Sequence, residues 1–262
     1  MHPLITSPQN PKIKQAATLQ KSRERKKQNR FLLEGMREFQ YALKSGYAAE
    51  SVFYDAGQVS ESELLTLTGS DQLLIPVSAA VFSKLAYREN TSGIVAVMKS
   101  RSHQLSDLKL PENPLILVIE SVEKPGNLGA LLRTADAANL DAVIICDPLV
   151  DFYNPNVIRS SVGTVFTRQL ASANSADTIE WLNNQQAAIY CTHLEAALPY
   201  TNVDYTKATA IVMGTEATGL SEIWTERSTQ NVIIPMRGAI DSMNVSAAAA
   251  VVIFEAIRQR FA

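Results

Sequence analysis

From residue 115 onward the chain alternates short apolar runs with amphipathic segments, and this alternation is the strongest constraint on its fold. Five runs have the length and the branched apolar side chains typical of buried strands: residues 115–121, 141–147, 187–194, 207–214 and 230–236. The helical pattern falls on residues 127–140, 157–166 and 244–261. Strands that alternate with helices form a mainly parallel sheet covered on both faces. The predicted fold class is therefore α/β, with ligands expected at the carboxyl ends of the strands.

The front half of the chain has a different pattern. Residues 12–30 predict one basic helix, and residues 31–46 predict a strand followed by a helix that ends at Gly46. Further short elements are predicted as strands at 51–55, 72–77 and 92–99 and as a helix at 79–87. These elements indicate a small α/β domain.

A polar, proline-containing stretch, Leu105–Pro114, separates the two halves. We therefore predict domains over residues 1–105 and 115–262, joined by a linker at 106–114. The charge changes at the same place: residues 1–110 carry a net charge of +5 and residues 111–262 a net charge of −7, within a total of −2. A basic front half indicates a domain that binds an anionic partner.

Composition argues against several classes of protein. No apolar run approaches the roughly 18 to 20 residues of a membrane span, and the N-terminus lacks the apolar core of a secretory signal. Cys146 and Cys191 are too few for a disulfide framework, so we expect buried, reduced thiols in a cytoplasmic protein. His2, His103 and His193 are scattered, which leaves no metal-ligand spacing, and we expect no metal.

The first signature segment, residues 119–137, joins a buried strand to a helix through Pro125 and Gly126. Asn127 is predicted to cap the helix, and Arg133 projects from its second turn. The free N–H groups of a helix N-terminus suit a phosphate or carboxylate. Read alone, the segment is equally explained as a plain strand-to-helix connection.

Two more segments share this pattern of a strand followed by a turn of small residues. In the second signature segment, residues 211–224, Gly214 follows the strand, Glu216 comes next and Gly219 ends a tight loop. The third signature segment is residues 233–259, in which a loop carries Ser242 and Asn244 into an alanine-rich helix. Taken singly, these could be a polar turn with a solvated glutamate and a C-terminal core helix.

Taken in order, the three segments resemble the signature motifs of the SpoU (TrmH) family, part of the SPOUT superfamily of RNA methyltransferases. The matching residues are Asn127, Gly129 and Arg133 for the first motif; Gly214, Thr215, Glu216, Gly219 and Leu220 for the second; and Ile234, Pro235, Met236, Ser242, Asn244, Val245 and Ser246 for the third. Residues 153–166 also look like the family's Arg-x-Ser-x-Gly segment. Two departures, Ala217 for a frequent glycine and Met243 for a frequent leucine, are conservative in size.

The resemblance implies a fold, a cofactor and a reaction. The expected fold is a sheet whose C-terminal segment forms a deep trefoil knot of the SPOUT type, preceded by a small RNA-binding α/β domain similar to a ribosomal protein. The expected reaction is 2′-O-ribose methylation of RNA by S-adenosylmethionine. The residues expected to contact the cofactor, largely through their backbone, are Thr192, Gly214, Ile234, Met236, Ser242 and Met243.

The same resemblance assigns the catalytic roles. Arg133 is expected to orient the ribose hydroxyl and to stabilise it as it loses its proton to a phosphate or a water, because an arginine is a poor general base. Asn127 would hold this arginine or the ribose. Glu216, Ser242 and Asn244 would shape the site.

The RNA is expected to bind the basic front half. The residues predicted to contact it are Lys12, Lys14, Arg23, Arg25, Lys26, Lys27, Arg30 and Arg159. A solvated helix face is the alternative for the basic run. By family analogy, 23S ribosomal RNA is favoured over transfer RNA, and a homodimer is expected to form through the C-terminal domain.

Two rival functions are kept. One is a catalytically silent RNA-binding or ribosome-assembly protein on the same fold, and the intact Asn127, Arg133, Glu216 and Asn244 count against it. The other is an unrelated nucleotide-binding α/β enzyme, which would not require a basic front domain. A serine hydrolase is excluded because the sequence lacks a G-x-S-x-G elbow.

Overall fold

The computed structural model describes residues 2–87, 92–194, 197–215 and 218–261. It forms two compact units, one of Met1–Arg101 with Asp151–Thr167 and the other of Ser102–Val150 with Arg168–Ala262. Neither unit is continuous in sequence, because the segment 151–167 lies within the sequence of the back half but packs in the first unit.

The elements are numbered along the whole chain. The α-helices are α1 Pro11–Thr18, α2 Ser22–Gln28, α3 Met36–Lys44, α4 Glu61–Thr68, α5 Ala79–Leu85, α6 Pro125–Ala137, α7 Pro155–Ser160, α8 Ser175–Asn184, α9 Glu222–Arg227 and α10 Val245–Arg260. The strands are β1 Arg30–Glu34, β2 Ala49–Tyr54, β3 Leu74–Pro76, β4 Ile94–Lys99, β5 Leu115–Glu120, β6 Ala142–Cys146, β7 Gln169–Ala173, β8 Ala188–Thr192, β9 Leu198–Pro199, β10 Thr209–Met213 and β11 Gln230–Ile233.

The first unit contains a four-stranded sheet in the order β1-β4-β2-β3. Strand β4 is antiparallel to both of its neighbours, and β3 is parallel to β2. Ile13, Ala16 and Leu19 pack against Phe53 and Val95 to form one core of this unit. The prediction of a small α/β domain is confirmed, although α4 was not predicted.

The predicted basic helix over residues 12–30 is wrong, because the chain forms two helices, α1 and α2, with a turn between them. Asn10 caps α1 by accepting from the Lys12 N–H, and Pro11 occupies its first turn. Leu19 is fully buried after the helix, where its N–H donates to the Ala16 carbonyl. The need to bury Leu19 turns the chain, which sequence periodicity within a run of basic residues does not reveal.

Arg25 holds this turn in place from inside the unit. Its Nη1 donates to the carbonyls of Leu19 at 3.0 Å and Gln20 at 2.8 Å, and its Nε and Nη2 donate to Asp151 at 3.2 and 2.6 Å. The side chain is 4% exposed. Arg25 is therefore a structural residue, and its predicted role in RNA binding is withdrawn because the guanidinium is buried and already bonded.

The second unit contains a seven-stranded sheet in the order β7-β6-β5-β10-β8-β11-β9. All of the pairings between these strands are parallel. Strand β5 is buried along its whole length, and helix α10 packs against α6 and β10. The prediction of an α/β fold with a mainly parallel sheet is confirmed; the trefoil knot stays a prediction. Strand β7 and helix α8 were not predicted. The strand was missed because it is a half-buried edge strand with Gln and Ser among its five residues.

Both cysteines lie in strands of the second unit, Cys146 at the end of β6 and Cys191 in β8. Cys146 and Cys191 are buried free thiols, as predicted. Burial raises the pKa of each thiol to about 12. Each is consequently a packing residue at neutral pH.

The residues that the structure describes also bear on membranes and metals. None of the helices there has the length and apolar character needed to cross a bilayer. No cluster of three or more His, Cys, Asp or Glu side chains able to hold a metal ion occurs within the same residues.

We predict that Arg25→Ala lowers the free energy of unfolding by about 3 kcal/mol, because it removes the cation paired with the Asp151 carboxylate and the Arg25 donor from two carbonyls. Urea denaturation would measure this value. Lys26→Ala, at an exposed position of the same helix, is the matched control and should change it by less than about 0.5 kcal/mol. Equal effects of the two substitutions would contradict the structural role of Arg25.

Candidate active site

The three signature segments begin at neighbouring strand ends. Strands β5, β10, β8 and β11 are consecutive in the sheet and all parallel, so their carboxyl ends lie along one edge. The first segment leaves β5, the second leaves β10 and the third leaves β11. Thr192 ends β8, between the second and third segments. The topology therefore gathers the predicted site residues at a single edge of the sheet.

Helix α6 presents the first signature segment. It begins with Pro125 after Lys124 as its N-cap, so Asn127 lies in the first turn and the prediction that it caps the helix is wrong. Leu128, Leu131, Leu132 and Ala135 are buried, whereas Arg133 is exposed. Periodic leucines thus fix one face of α6 in the core and leave Arg133 on the other.

The first and third signature segments meet through two asparagines. Asn244 Nδ2 donates to Asn127 Oδ1 at 3.2 Å. Asn244 is also the N-cap of α10, where its Oδ1 accepts from the N–H of Ser246 at 3.0 Å and from the Ser246 hydroxyl at 2.5 Å. One amide therefore begins α10 and ties it to the first turn of α6.

The second signature segment folds tightly back on itself. The N–H of Thr215 donates to the Gly219 carbonyl and the N–H of Gly219 to the Thr215 carbonyl, both at 3.1 Å. The backbone of Gly219 and Leu220 lies so close to Gly214 that a Cβ there would be 2.5 Å from the Gly219 oxygen and from the Leu220 nitrogen. Gly214 therefore has to be glycine because of contact with backbone. Its φ is not in the left-handed region.

Thr192 uses its side chain to join two strands. Its hydroxyl donates to the Val212 carbonyl at 3.1 Å and lies 3.6 Å from the Met213 sulfur. The residue is half-buried at the end of β8. Thr192 and Gly214 thus end adjacent strands, as a shared ligand-binding edge requires.

The third signature segment crosses the edge without helix or strand between β11 and α10. Ile234 and Met236 are half-buried, and Met243 is 37% exposed. Ser242 is exposed, and its hydroxyl donates to Asp241 Oδ1 at 3.1 Å. The segment places apolar side chains on backbone that is part of neither a helix nor a strand.

Arg133 and Glu216 are two further residues that the resemblance assigns to catalysis. Within the part of the chain that the structure describes, no side chain or backbone group forms a hydrogen bond or an ion pair with the Arg133 guanidinium. Glu216 lies outside the described residues, so its predicted role is untested. Arg133 is consequently available to an incoming ligand.

Glu120 is a residue at this edge that the sequence reasoning missed. It ends β5 and is buried, with Oε2 accepting from the Ser221 N–H and Oε1 accepting from the Ser221 hydroxyl. A charged residue that closes a run of five buried apolar residues is the signal that could have identified it.

The predicted RNA-binding residues belong to the first unit. Five of them are exposed on or beside α1 and α2: Lys12, Lys14, Arg23, Lys26 and Lys27. Arg30 is half-buried and forms an ion pair with Glu50 at 2.5 Å. Arg159 is exposed at the end of α7. With Arg25 withdrawn, contact with phosphates stays a prediction for the exposed lysines and arginines and for Arg30.

Known proteins resemble both parts of the chain. The SpoU rRNA methylase family model matches residues 114–254, and the MRM3-like substrate binding domain model matches residues 10–96. The 23S rRNA (guanosine(2553)-2'-O)-methyltransferase RlmP of Bacillus subtilis is 32% identical, over 95% of this chain and 97% of its own. A solved RNA 2'-O ribose methyltransferase is 37% identical, with a TM-score of 0.85 over 99% of this chain and 100% of its own. An AdoMet-bound rRNA methyltransferase from Sinorhizobium meliloti is 29% identical, with a TM-score of 0.88 over 98% and 97%.

We predict that Gly214→Ala lowers the free energy of unfolding by about 3 kcal/mol, because the new methyl group can be accommodated only by moving the backbone of Gly219 and Leu220. Guanidinium denaturation would measure the change. Gly126→Ala is the control, since its Cβ meets no atom within 4 Å and alanine favours the helix. A Gly214→Ala protein as stable as Gly126→Ala would show that the loop adjusts freely.

Proposed function

The chain belongs to the SpoU rRNA methylase family, and we propose that it transfers a methyl group from S-adenosylmethionine to a ribose 2′-hydroxyl of 23S ribosomal RNA. The observation that carries this proposal is the bond between Asn127 and Asn244, which joins the first and third signature segments on the helix that also carries the exposed Arg133. The reaction named for the RlmP relative, the 2′-O-methylation of 23S rRNA, supports the substrate.

The strand edge suits the cofactor. S-adenosylmethionine needs an apolar surface for its adenine ring and backbone donors and acceptors for the ring edge. Three adjacent strands offer these groups through Thr192, Gly214 and Ile234, and the tight turn at Gly214 leaves no side chain on that strand end. Met236, Ser242 and Met243 complete the set that we propose to hold the cofactor.

The chain's own task is to prepare the ribose oxygen. Bound S-adenosylmethionine supplies an electrophilic methyl group on a sulfonium. Arg133 stabilises the 2′-oxygen as negative charge develops, since a guanidinium stays protonated at neutral pH and can act only as a fixed cation and donor. The proton passes to a phosphate or a water. Asn127, held by Asn244, fixes the first turn of the helix that carries Arg133, and positioning of this kind accounts for much of the catalysis.

The first unit supplies RNA binding in this proposal. Its match to a substrate binding domain and its exposed lysines support contact with phosphates rather than with bases. The relatives named for 23S rRNA favour ribosomal RNA over transfer RNA.

Three further features belong to the proposal. We propose that the C-terminal segment is knotted, that the protein acts in the cytoplasm and that it forms a homodimer through the second unit. Phe254 on α10 is 48% exposed and Ile240 before it is 67% exposed, and these apolar side chains would suit a contact between subunits.

We predict that Arg133→Ala lowers kcat for methyl transfer at least about a hundredfold while leaving S-adenosylmethionine affinity within about twofold, because the guanidinium acts on the ribose oxygen. Transfer of labelled methyl to unmodified ribosomal RNA and to transfer RNA would measure activity, and calorimetry would measure affinity. Arg227→Ala, at an exposed position of α9, is the control. Failure of the wild-type protein to bind the cofactor would favour a silent RNA-binding protein on the same fold.

We predict that Lys26→Ala combined with Lys27→Ala weakens RNA binding and makes the slope of log K against log salt shallower by between one and two, since each lysine releases about one counterion. Filter binding at several salt concentrations would measure the slope. The matched control replaces Lys44 and Lys84, two exposed lysines of the same unit. An identical slope for both double variants would contradict a phosphate-binding face on α2.

A further inference from the structure

We propose that Glu120 is a positioning residue that holds the second signature segment in the form that binds S-adenosylmethionine. This inference rests on the proposed function. It concerns a buried carboxylate to which the family motifs assign no role, and it is carried by hydrogen bonds within the second unit.

Glu120 accepts two hydrogen bonds from Ser221 at the carboxyl end of the central strand β5, and the Ser175 hydroxyl lies beside it. The N–H of Ser221 donates to Oε2 at 2.8 Å, and the Ser221 hydroxyl donates to Oε1 at 2.5 Å. The Ser175 hydroxyl lies 3.1 Å from Oε1. A buried carboxylate is costly unless its oxygens are bonded, so these contacts fix its place.

Ser221 forms its hydrogen bonds with Glu120 rather than with the backbone of its own helix. It is the N-cap residue of α9, a position where a serine side chain usually accepts from the helix backbone, yet its side chain makes no such capping bond. Both its N–H and its hydroxyl point to Glu120 instead. The carboxylate therefore holds Ser221, the N-cap of α9, which lies within the second signature segment directly after its tight turn.

The position of Ser221 affects Gly214 through the backbone of Leu220, the residue between Ser221 and the tight turn. Leu220 precedes Ser221, and the Leu220 nitrogen and the Gly219 carbonyl press directly on the space beside the Gly214 Cα. A shift of Ser221 would move this backbone and open the turn at the end of β10. Because Gly214 is proposed to bind the cofactor through its backbone, Glu120 acts on cofactor affinity without touching the cofactor.

A second set of contacts fixes Ser175, the residue that packs beside the Glu120 carboxylate. The Trp224 indole N–H donates to the Ser175 hydroxyl at 3.0 Å, and Ser175 lies 2.6 Å from Asp147 Oδ2. Trp224 is fully buried. Ser175 is thereby fixed by Asp147, which directly follows β6, and by Trp224 of α9, which makes it a rigid neighbour for the carboxylate.

The test compares Glu120→Gln and Ser221→Ala with the wild-type full-length protein. Glutamine keeps the shape of the side chain but can accept at only one of the two oxygens, and alanine removes the Ser221 hydroxyl alone. We expect both to raise the Kd and the KM for S-adenosylmethionine about tenfold, with kcat at saturating cofactor and the KM for RNA unchanged. Ser221→Thr, which keeps the hydroxyl, should restore wild-type affinity.

The controls separate positioning from general loss of structure. Glu180→Gln changes an exposed carboxylate on α8 and should leave both constants unchanged. Reduced stability alone would lower the active fraction, and hence kcat, without raising the KM for the cofactor. Wild-type affinity in Ser221→Ala, or in a folded Glu120→Gln, would overturn the inference. A wild-type protein that binds no S-adenosylmethionine would instead overturn the proposed function, and this inference with it.

Discussion

Parallel pairing across the seven-stranded sheet is the constraint on which the site depends. A parallel strand must be followed by a connection that returns over a face of the sheet, so the carboxyl ends of β5, β8, β10 and β11 collect at one edge. Residues more than a hundred positions apart, such as Asn127 and Asn244, can then share a hydrogen bond. The sheet topology therefore explains why these strand ends lie together, and the side chains that follow the strands determine which ligand they can bind.

The first unit depends on a different interaction, the bonding of Arg25 to Asp151. This pair joins the turn between α1 and α2 to a segment from the middle of the chain. It also shows why a run of basic residues cannot be assigned to RNA binding residue by residue. Arg25, Lys26 and Lys27 are equivalent in sequence, yet one guanidinium bonds two carbonyls and a carboxylate while both lysines face solvent.

The strands rich in branched apolar residues were predicted from sequence because burial on both faces leaves an unmistakable composition, as in β5 and β6. Elements that are stabilised mainly by contacts with neighbouring elements were not predicted. Strand β7, for example, pairs with β6 at the edge of the sheet, although polar residues interrupt its apolar pattern. The motif residues were identified by resemblance. Their geometry was not, since Asn127 lies in the first turn of α6 rather than at its cap, a difference set by Pro125.

Where a cofactor is bound through backbone groups at strand ends, as proposed for this chain, the residues that matter fall into two kinds. Some, such as Gly214, are visible in a motif because any side chain would collide with neighbouring backbone. Others, such as Glu120, act by holding that backbone from behind through Ser221. The residues that carry the resemblance, Asn127, Gly129 and Arg133 in the first segment, do not include Glu120. Buried carboxylates at strand ends are therefore where the remaining determinants of cofactor affinity in such a fold should be sought.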